Sequence, residues 1–216
     1  MKRPISEPLT ITGPAGRLQA LLDTPPSVAD QHVAVICHPH PLHGGAMTNK
    51  VAHMLARSFN EAGARALRFN FRGVGASEGS YDEGRGETLD TIAVIDWACE
   101  RWPGARLWLA GFSFGGAIAA RAALQRPPER LVTVAPAVTR VAVERPPRCP
   151  WLIIQGDRDE LVDLQDVQRW ASGLDPQPQI RVLAGVDHFF HGRLNELREV
   201  VVEWLALPPH DHGAAR

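Results

Sequence analysis

Short apolar runs alternate with longer segments of helical character along most of this 216-residue chain, and this alternation restricts the fold more than any other feature. The apolar runs predict strands at residues 33–37, 66–71, 107–110, 131–134 and 151–155, with a sixth candidate at 180–183. The segments between and after them predict helices at 49–62, 88–101, 114–125, 162–174 and 194–205. Strands and helices that alternate in this way form a parallel sheet with helices on both faces.

The chain before residue 33 has a different pattern. Residues 9–12 and 18–22 predict two strands, joined by a short turn of glycine and proline. A length of 216 residues fits one domain, because domains usually contain about 100 to 200 residues. We therefore expect one domain over residues 1–207 and a disordered polar tail over 208–216.

Charge and apolar patterning exclude several classes of partner. The 23 basic and 24 acidic side chains give a net charge of -1, which leaves no overall positive field to attract nucleic acid or anionic lipid. No apolar run approaches the length of a membrane helix, and no apolar segment follows Lys2 and Arg3 as in a secretion signal. The three scattered cysteines lack CxxC spacing. They predict buried free thiols in a cytoplasmic protein.

A Gly-x-Ser-x-Gly sequence occupies residues 111–115, directly after the predicted strand 107–110 and at the start of the predicted helix 114–125. A sharp turn from strand to helix exposes the serine oxygen above a sheet, and it needs glycines where neighbouring backbone is crowded. A serine hydroxyl is a weak nucleophile at neutral pH, so it requires a base and a third group that orients the base. Ser113 is therefore the candidate nucleophile.

Two later loops carry candidates for the acid and the base, in the order serine, acid, histidine. The candidates are Asp157, Asp159 and Asp163 after the strand 151–155, and His188 and His191 after the strand 180–183. Both loops follow the carboxyl ends of strands, where open α/β sheets place their sites. The residues alone do not choose among these aspartates or between the two histidines.

Two further segments add a resemblance to a known family. Residues 38–41 read His-Pro-His-Pro, and residues 188–192 read His-Phe-Phe-His-Gly. With the serine motif, they make the chain resemble the α/β-hydrolases over nearly its full length, in particular a small, lidless carboxylesterase group. The resemblance implies a single-domain α/β-hydrolase fold with a mostly parallel, doubly wound sheet and no cap domain. It also implies a serine esterase that needs no cofactor and no metal.

The resemblance also selects the site residues. The family's acid occurs as Gly-x-x-Asp-x-x-Val, which matches residues 156–162 and selects Asp159. Its histidine follows a Gly-x-Asp turn, which selects His188. We expect Asp157 and Asp163 to shape the acid loop, and His191 to begin the final helical region.

Hydrolysis by such a site also needs backbone donors for the oxyanion, one after the nucleophile and one from the loop after the third strand. Phe114 supplies the first donor. Because Pro39 and Pro41 have no N–H, His40 and Leu42 are the candidates for the second, and alignment with the family selects His40. Residues 70–77 resemble the family's Arg-Gly-x-Gly-x-Ser turn, for which we expect a structural role.

These features predict a serine hydrolase that cleaves small carboxylic esters through an acyl-enzyme. A thioesterase or peptidase on the same three residues stays open, as do a non-catalytic interaction protein on this scaffold and a homodimer. A metal site at His38, His40 and His43 is a weaker alternative, because Leu42 stands where an aspartate usually precedes the third histidine. A dinucleotide site is disfavoured, because no GxGxxG follows residues 33–37.

Overall fold

The structure, a computed structural model, describes residues 4–27, 31–143 and 145–208. Within these residues, eight strands form one sheet. The strands are β1 (Ile5–Gly13), β2 (Gly16–Thr24), β3 (His32–Cys37), β4 (Arg65–Phe69), β5 (Arg106–Phe112), β6 (Arg130–Val134), β7 (Trp151–Gly156) and β8 (Gln179–Leu183). The α-helices are α1 (Lys50–Glu61), α2 (Arg85–Arg101), α3 (Phe114–Ala123), α4 (Leu164–Ser172) and α5 (Leu194–Ala206).

The sheet has the order β1-β2-β4-β3-β5-β6-β7-β8. Strands β3 to β8 are parallel, whereas β1 and β2 form an antiparallel hairpin that pairs with β4 at the edge. The predicted α/β class with a mostly parallel sheet is therefore confirmed. Because the strands are parallel, the carboxyl ends of β3, β5, β6, β7 and β8 meet at one edge, where the loops after them lie together.

Two apolar cores flank the sheet, because successive residues of a strand point to opposite faces. In β3, Val33 and Val35 join the core that includes α2, α3 and α4, whereas Ala34 and Ile36 join the core that includes α1 and α5. The helices thus cover both faces. The sheet between them provides a rigid support for the loops at its carboxyl edge.

Local signals set the helix ends. The Asn49 side chain accepts hydrogen bonds from the N–H groups of Val51 and Ala52 and so caps α1. Gly63 follows that helix with a φ of 88°, as expected for a glycine that ends a helix in the left-handed region. Helix α2 begins three residues earlier than predicted, because Glu87 accepts from the N–H groups of Asp82 and Gly84.

Two other expectations are affected by the structure. Cys37 and Cys149 are buried, but the expectation of three buried thiols is wrong for Cys99, which is exposed on α2. Residues 209–216 of the predicted tail lie outside the described residues. Among the residues described, no helix is both long enough and apolar enough to cross a bilayer.

Candidate active site

Ser113 lies at the turn between β5 and α3, at the carboxyl edge of the sheet. Its φ is 55° and its ψ is -119°, a conformation that costs a non-glycine residue about 1–3 kcal/mol and occurs mostly at functional sites. The backbone is held there from both sides, because Ser113 N–H donates to Val134 O at 2.8 Å and Ser113 O accepts from Ala137 N–H at 3.1 Å. The side chain makes no hydrogen bond to the helix that it begins.

The glycines of the Gly-x-Ser-x-Gly sequence are explained by the space around this turn. A Cβ on Gly111 would lie 2.1 Å from Gly115 O, and a Cβ on Gly115 would lie 2.3 Å from His38 O. Both contacts are with backbone atoms, which cannot rotate away. Glycine at 111 lets α3 begin directly against the end of β5, and glycine at 115 lets α3 lie against the end of β3.

The loops after β7 and β8 bring an imidazole and a carboxylate to the serine. His188 Nε2 lies 3.1 Å from Ser113 Oγ, and His188 Nδ1 lies 2.8 Å from Asp159 Oδ2. Because a carboxylate only accepts, Nδ1 carries the proton and Nε2 can accept from the serine hydroxyl. The side chains of His188 and Asp159 are 3% and 0% exposed, so water is largely excluded from this hydrogen-bond chain.

Asp159 is held by three further donors. Its Oδ1 accepts from the N–H groups of Leu161 and Val162, and its Oδ2 accepts from the side-chain amide of Gln155 at 2.9 Å. The other aspartates of this loop point elsewhere. Asp157 accepts from Gly185 N–H, and Asp163 caps α4 through Asp166 N–H. Both shape the loop, as expected from the sequence.

His40 and Phe114, the residues expected to supply the oxyanion donors, line one cavity together with Ser113. Phe114 is the first residue of α3, so its N–H precedes the hydrogen bonds within the helix. Within the described residues no backbone hydrogen bond involves His40 N–H, whereas Leu42 N–H donates to His40 Nδ1 at 3.2 Å. Of the two candidates in this loop, Leu42 therefore has its donor occupied and His40 has its donor available.

Known proteins are similar to this chain in sequence and in fold. Residues 41–146 match the family model for the alpha/beta hydrolase fold. An alpha-beta serine hydrolase homologue from Coxiella burnetii is 44% identical, with 93% of this chain and 97% of that chain covered and a TM-score of 0.89. XC6422 from Xanthomonas campestris, described as an α/β serine hydrolase without lid, is 43% identical, with coverages of 94% and 97% and a TM-score of 0.88. The chain belongs to the α/β-hydrolase family.

A third relative extends along most of the sequence. The uncharacterized protein RP471 from Rickettsia prowazekii is 33% identical over 205 residues, which are 89% of this chain and 86% of that protein. The two serine hydrolase structures cover 93% and 94% of this chain, so the family assignment applies to nearly the whole length of this α/β-hydrolase.

The α/β-hydrolase has a cavity of about 440 Å³ above Ser113 and His188. Its walls include His40, Tyr81, Arg140, Leu161 and Phe189. The segment between β6 and β7 crosses one side in turns and bends, with no helix among its described residues. The expected absence of a cap domain agrees with this short segment and with the lidless description of XC6422.

The three histidines of residues 38–43 do not converge on one point. The buried His38 donates from Nδ1 to Pro39 O at 2.7 Å and accepts at Nε2 from Phe71 N–H at 3.1 Å. The rings of His40 and His43 stack at 4.4 Å. Since both nitrogens of His38 are used within the protein, His38 is not available to bind a metal ion together with His40 and His43; among the described residues, no three or more His, Cys, Asp or Glu side chains are grouped as metal ligands.

Other motif residues have structural positions. His191 is exposed and pairs with Asp187 at 2.8 Å, in the turn before α5 and not in the helix. Hydrogen bonds from this histidine lower the pKa of Asp187. In the loop of residues 70–77, Asn70 accepts from Met47 N–H, and Arg72 pairs with the buried Asp90. These contacts connect the loop to Met47 and to α2.

Sequence reasoning missed two polar residues of the site. Gln155 is fully buried in β7 and contacts Asp159; a glutamine inside an apolar strand was the available signal. Tyr81 lies in the loop before α2, and its hydroxyl is 3.2 Å from His40 Nε2. No pattern in the sequence connects these two residues, which are 41 positions apart.

Proposed function

We propose that the protein is a serine hydrolase that cleaves small carboxylic esters through an acyl-enzyme, with Ser113, His188 and Asp159 as its catalytic triad. The observation that carries the proposal is the continuous hydrogen-bond chain from Ser113 Oγ through His188 to Asp159, at distances of 3.1 and 2.8 Å. Such a chain supplies a nucleophile, a base and a group that orients the base. Family membership and the described serine hydrolase relatives support it.

In the first half of the reaction, Ser113 Oγ attacks the ester carbonyl carbon and its proton passes to His188 Nε2. Asp159 holds the imidazole in the tautomer that can accept this proton and stabilises the cation that forms. Collapse of the tetrahedral intermediate breaks the bond to the alcohol oxygen, which leaves with the proton from His188. In the second half, water attacks the acyl carbon while His188 Nε2 takes a proton from it. The bond between the acyl carbon and Ser113 Oγ then breaks, His188 returns the proton to Oγ, and the carboxylic acid is released.

The tetrahedral intermediate carries a negative oxygen, for which we assign the backbone N–H groups of His40 and Phe114. Donors fixed before the reaction stabilise developing charge without reorganisation, and one such donor is worth roughly 3–4 kcal/mol in a hydrolase. The free His40 N–H and the occupied Leu42 N–H support His40 as the loop donor.

The size of the cavity supports a substrate with a short acyl group. The cavity is small, about 440 Å³, and its segment between β6 and β7 carries no helix among the described residues. It suits a short acyl group more than a long chain or a folded peptide. Acyl transfer through a serine ester needs no cofactor.

The proposal is tested with a fluorophosphonate probe and a panel of short acyl p-nitrophenyl esters, acyl thioesters and amides. We expect the probe to attach to Ser113 in the wild type, and the esters to react fastest. Ser113→Ala should lose both labelling and hydrolysis by several orders of magnitude, while Ser172→Ala, an exposed serine on α4, should keep both. Hydrolysis by Ser113→Ala within about tenfold of wild type would refute the assignment.

A further inference from the structure

The hydrogen bonds around His40 determine which of its ring nitrogens carries a proton. Leu42 N–H donates to His40 Nδ1 at 3.2 Å, so Nδ1 is an acceptor. Burial lowers the pKa of His40, and the positive charges of His43 and Arg140 lower it further. The ring is therefore neutral at pH 7, and its single proton is on Nε2.

This tautomer determines the direction of the Tyr81 hydroxyl proton. His40 Nε2–H donates to Tyr81 Oη, 3.2 Å away, so the phenol cannot donate back to that nitrogen. Burial and the negative charges of Glu87 and Glu83 raise the pKa of Tyr81, so its O–H keeps the proton. Tyr81 lines the cavity, and within the described residues its hydroxyl has no other hydrogen-bond partner. The O–H is left to donate into the cavity.

The positively charged side chain of Arg140 lines the same cavity. Arg140, in the segment between β6 and β7, is exposed and lines the cavity together with Tyr81. Within residues 4–27, 31–143 and 145–208, no carboxylate forms an ion pair with Arg140. Glu83 also lines the cavity and carries a negative charge; its Oε2 lies 3.4 Å from Arg85 Nη1, and Arg85 also pairs with Asp82.

We propose that this wall of the cavity binds a second oxygen acceptor of the substrate, a carboxylate, with Tyr81 as hydrogen-bond donor and Arg140 as counter-ion. The preferred substrates are then short half-esters of dicarboxylic acids. The inference rests on the proposed function, because it names the substrate class of the same site. A carboxylate accepts from several donors at once, whereas an aliphatic chain leaves the Tyr81 O–H without a partner and costs its desolvation.

Matched esters test the acceptor and the charge separately. For both succinate and glutarate, three methyl esters are compared. The monomethyl half-ester carries a carboxylate, and the corresponding ester amide keeps an oxygen acceptor but has no charge. A methyl ester that ends in an isopropyl group has the same shape but neither acceptor nor charge. For the wild type we expect kcat/KM to fall in that order, with about tenfold or more between the better half-ester and its hydrocarbon match. Equal values for the three esters overturn the proposal.

Three variants assign the effect to residues, and each is scored by ratios between esters so that general losses of rate cancel. Tyr81→Phe should reduce the preference for both acceptor esters over the hydrocarbon ester by about tenfold. Arg140→Gln should reduce only the preference for the half-ester over the amide. Arg145→Gln removes an exposed arginine of the same segment that does not line the cavity, and it should leave all ratios unchanged. Unchanged ratios in Tyr81→Phe also overturn the proposal.

A binding measurement separates this proposal from the proposed function. Tyr81 is the only tyrosine in the sequence, so 3-fluorotyrosine labelling gives one ¹⁹F resonance. In Ser113→Ala, which cannot turn over the ester, the half-ester should shift this resonance in a saturable way and the hydrocarbon ester should not. A shift without wild-type hydrolysis would reject the esterase and keep the binding site. Hydrolysis without a shift by the half-ester would reject the binding site alone.

Discussion

Gln155 and His188 donate to the same oxygen of Asp159: the Gln155 amide lies 2.9 Å from Oδ2, and His188 Nδ1 lies 2.8 Å from it. The Gln155 amide also donates to Val162 O at 2.9 Å. It therefore connects β7 to the following loop at two positions, Asp159 and Val162. The Gln155 side chain thus holds Oδ2 of Asp159, while the N–H groups of Leu161 and Val162 hold Oδ1.

Gln155→Leu should lower kcat by about tenfold with little change in KM. The substitution removes one hydrogen bond to a charged acceptor, worth roughly 1.5–3 kcal/mol, and loosens Asp159, while Gln155 does not line the cavity. Gln165→Leu, an exposed site on α4, serves as the control in steady-state kinetics on one short ester. A rise in KM at constant kcat would show that Gln155 acts on substrate binding and not on the acid.

Gly115→Ala should prevent formation of a working turn at Ser113. The added Cβ would meet His38 O at 2.3 Å and Cys37 O at 2.5 Å, and relief requires α3 to move away from β3. We expect insoluble protein or loss of fluorophosphonate labelling. Gly104→Ala is a matched control: its φ is 85° but nothing lies within 4 Å of its Cβ, so it should cost only about 1 kcal/mol and keep full labelling. Normal activity of Gly115→Ala would contradict the steric explanation.

The sheet could be predicted from the sequence because its signals are local. The strand runs at residues 107–110 and 131–134 are apolar on both faces except at Thr133, as is typical of buried parallel strands, and they lie within β5 and β6. Ser113 was predictable for the same reason, since the glycine pattern and the turn occupy neighbouring residues. The structure also brings the predicted Asp159 and His188 into contact with it, and their catalytic role stays a prediction.

The features that the sequence did not predict depend on contacts between segments that are distant in the chain. Tyr81 is in the loop before α2 and His40 follows β3, and their hydrogen bond exists only because β3 and β4 are neighbours in the sheet. The buried residues of α2 include the polar Glu87 and Asp90, so apolar periodicity did not mark the buried face or show that Cys99 would be exposed. Such relationships follow from packing of the whole domain, which periodicity in a single segment does not report.

The free energy of unfolding should decrease in acid through His38. Its ring is fully buried, and burial lowers its pKa from 6.5 to about 4. Below pH 6.5 the unfolded chain takes up a proton at this residue and the folded protein does not. The contribution of neutral His38 to the free energy of unfolding is therefore complete above pH 6.5 and is lost as the pH falls to about 4. This contribution amounts to roughly 3 kcal/mol at most.

His38→Gln tests this contribution, because glutamine is uncharged throughout. Urea unfolding between pH 4 and 8 should show a smaller decrease in stability towards acid for the variant than for the wild type, whatever its stability at pH 8. Comparing the two proteins removes the effect of the carboxylates, which titrate in both. Parallel curves for the two proteins would mean that His38 has the same pKa in the folded and unfolded states.

The acyl-chain preference follows from the segment between β6 and β7. A helical cap would enclose a long chain, but this segment runs from residue 135 to 150 in turns and bends, with no helix among its described residues. At the mouth, Leu161 and Phe189 are 46% and 42% exposed, so added methylenes would stay partly in water. Each CH₂ is worth about 0.8 kcal/mol only when fully buried. We expect kcat/KM for unsubstituted p-nitrophenyl esters to peak between acetyl and butyryl and not to rise towards octanoyl.

The series is measured below the micelle concentration of each ester, with the oligomeric state determined by light scattering at the same protein concentration. A maximum at eight carbons or beyond would contradict the open mouth, and a dimer in that case would identify a second subunit as the missing cover.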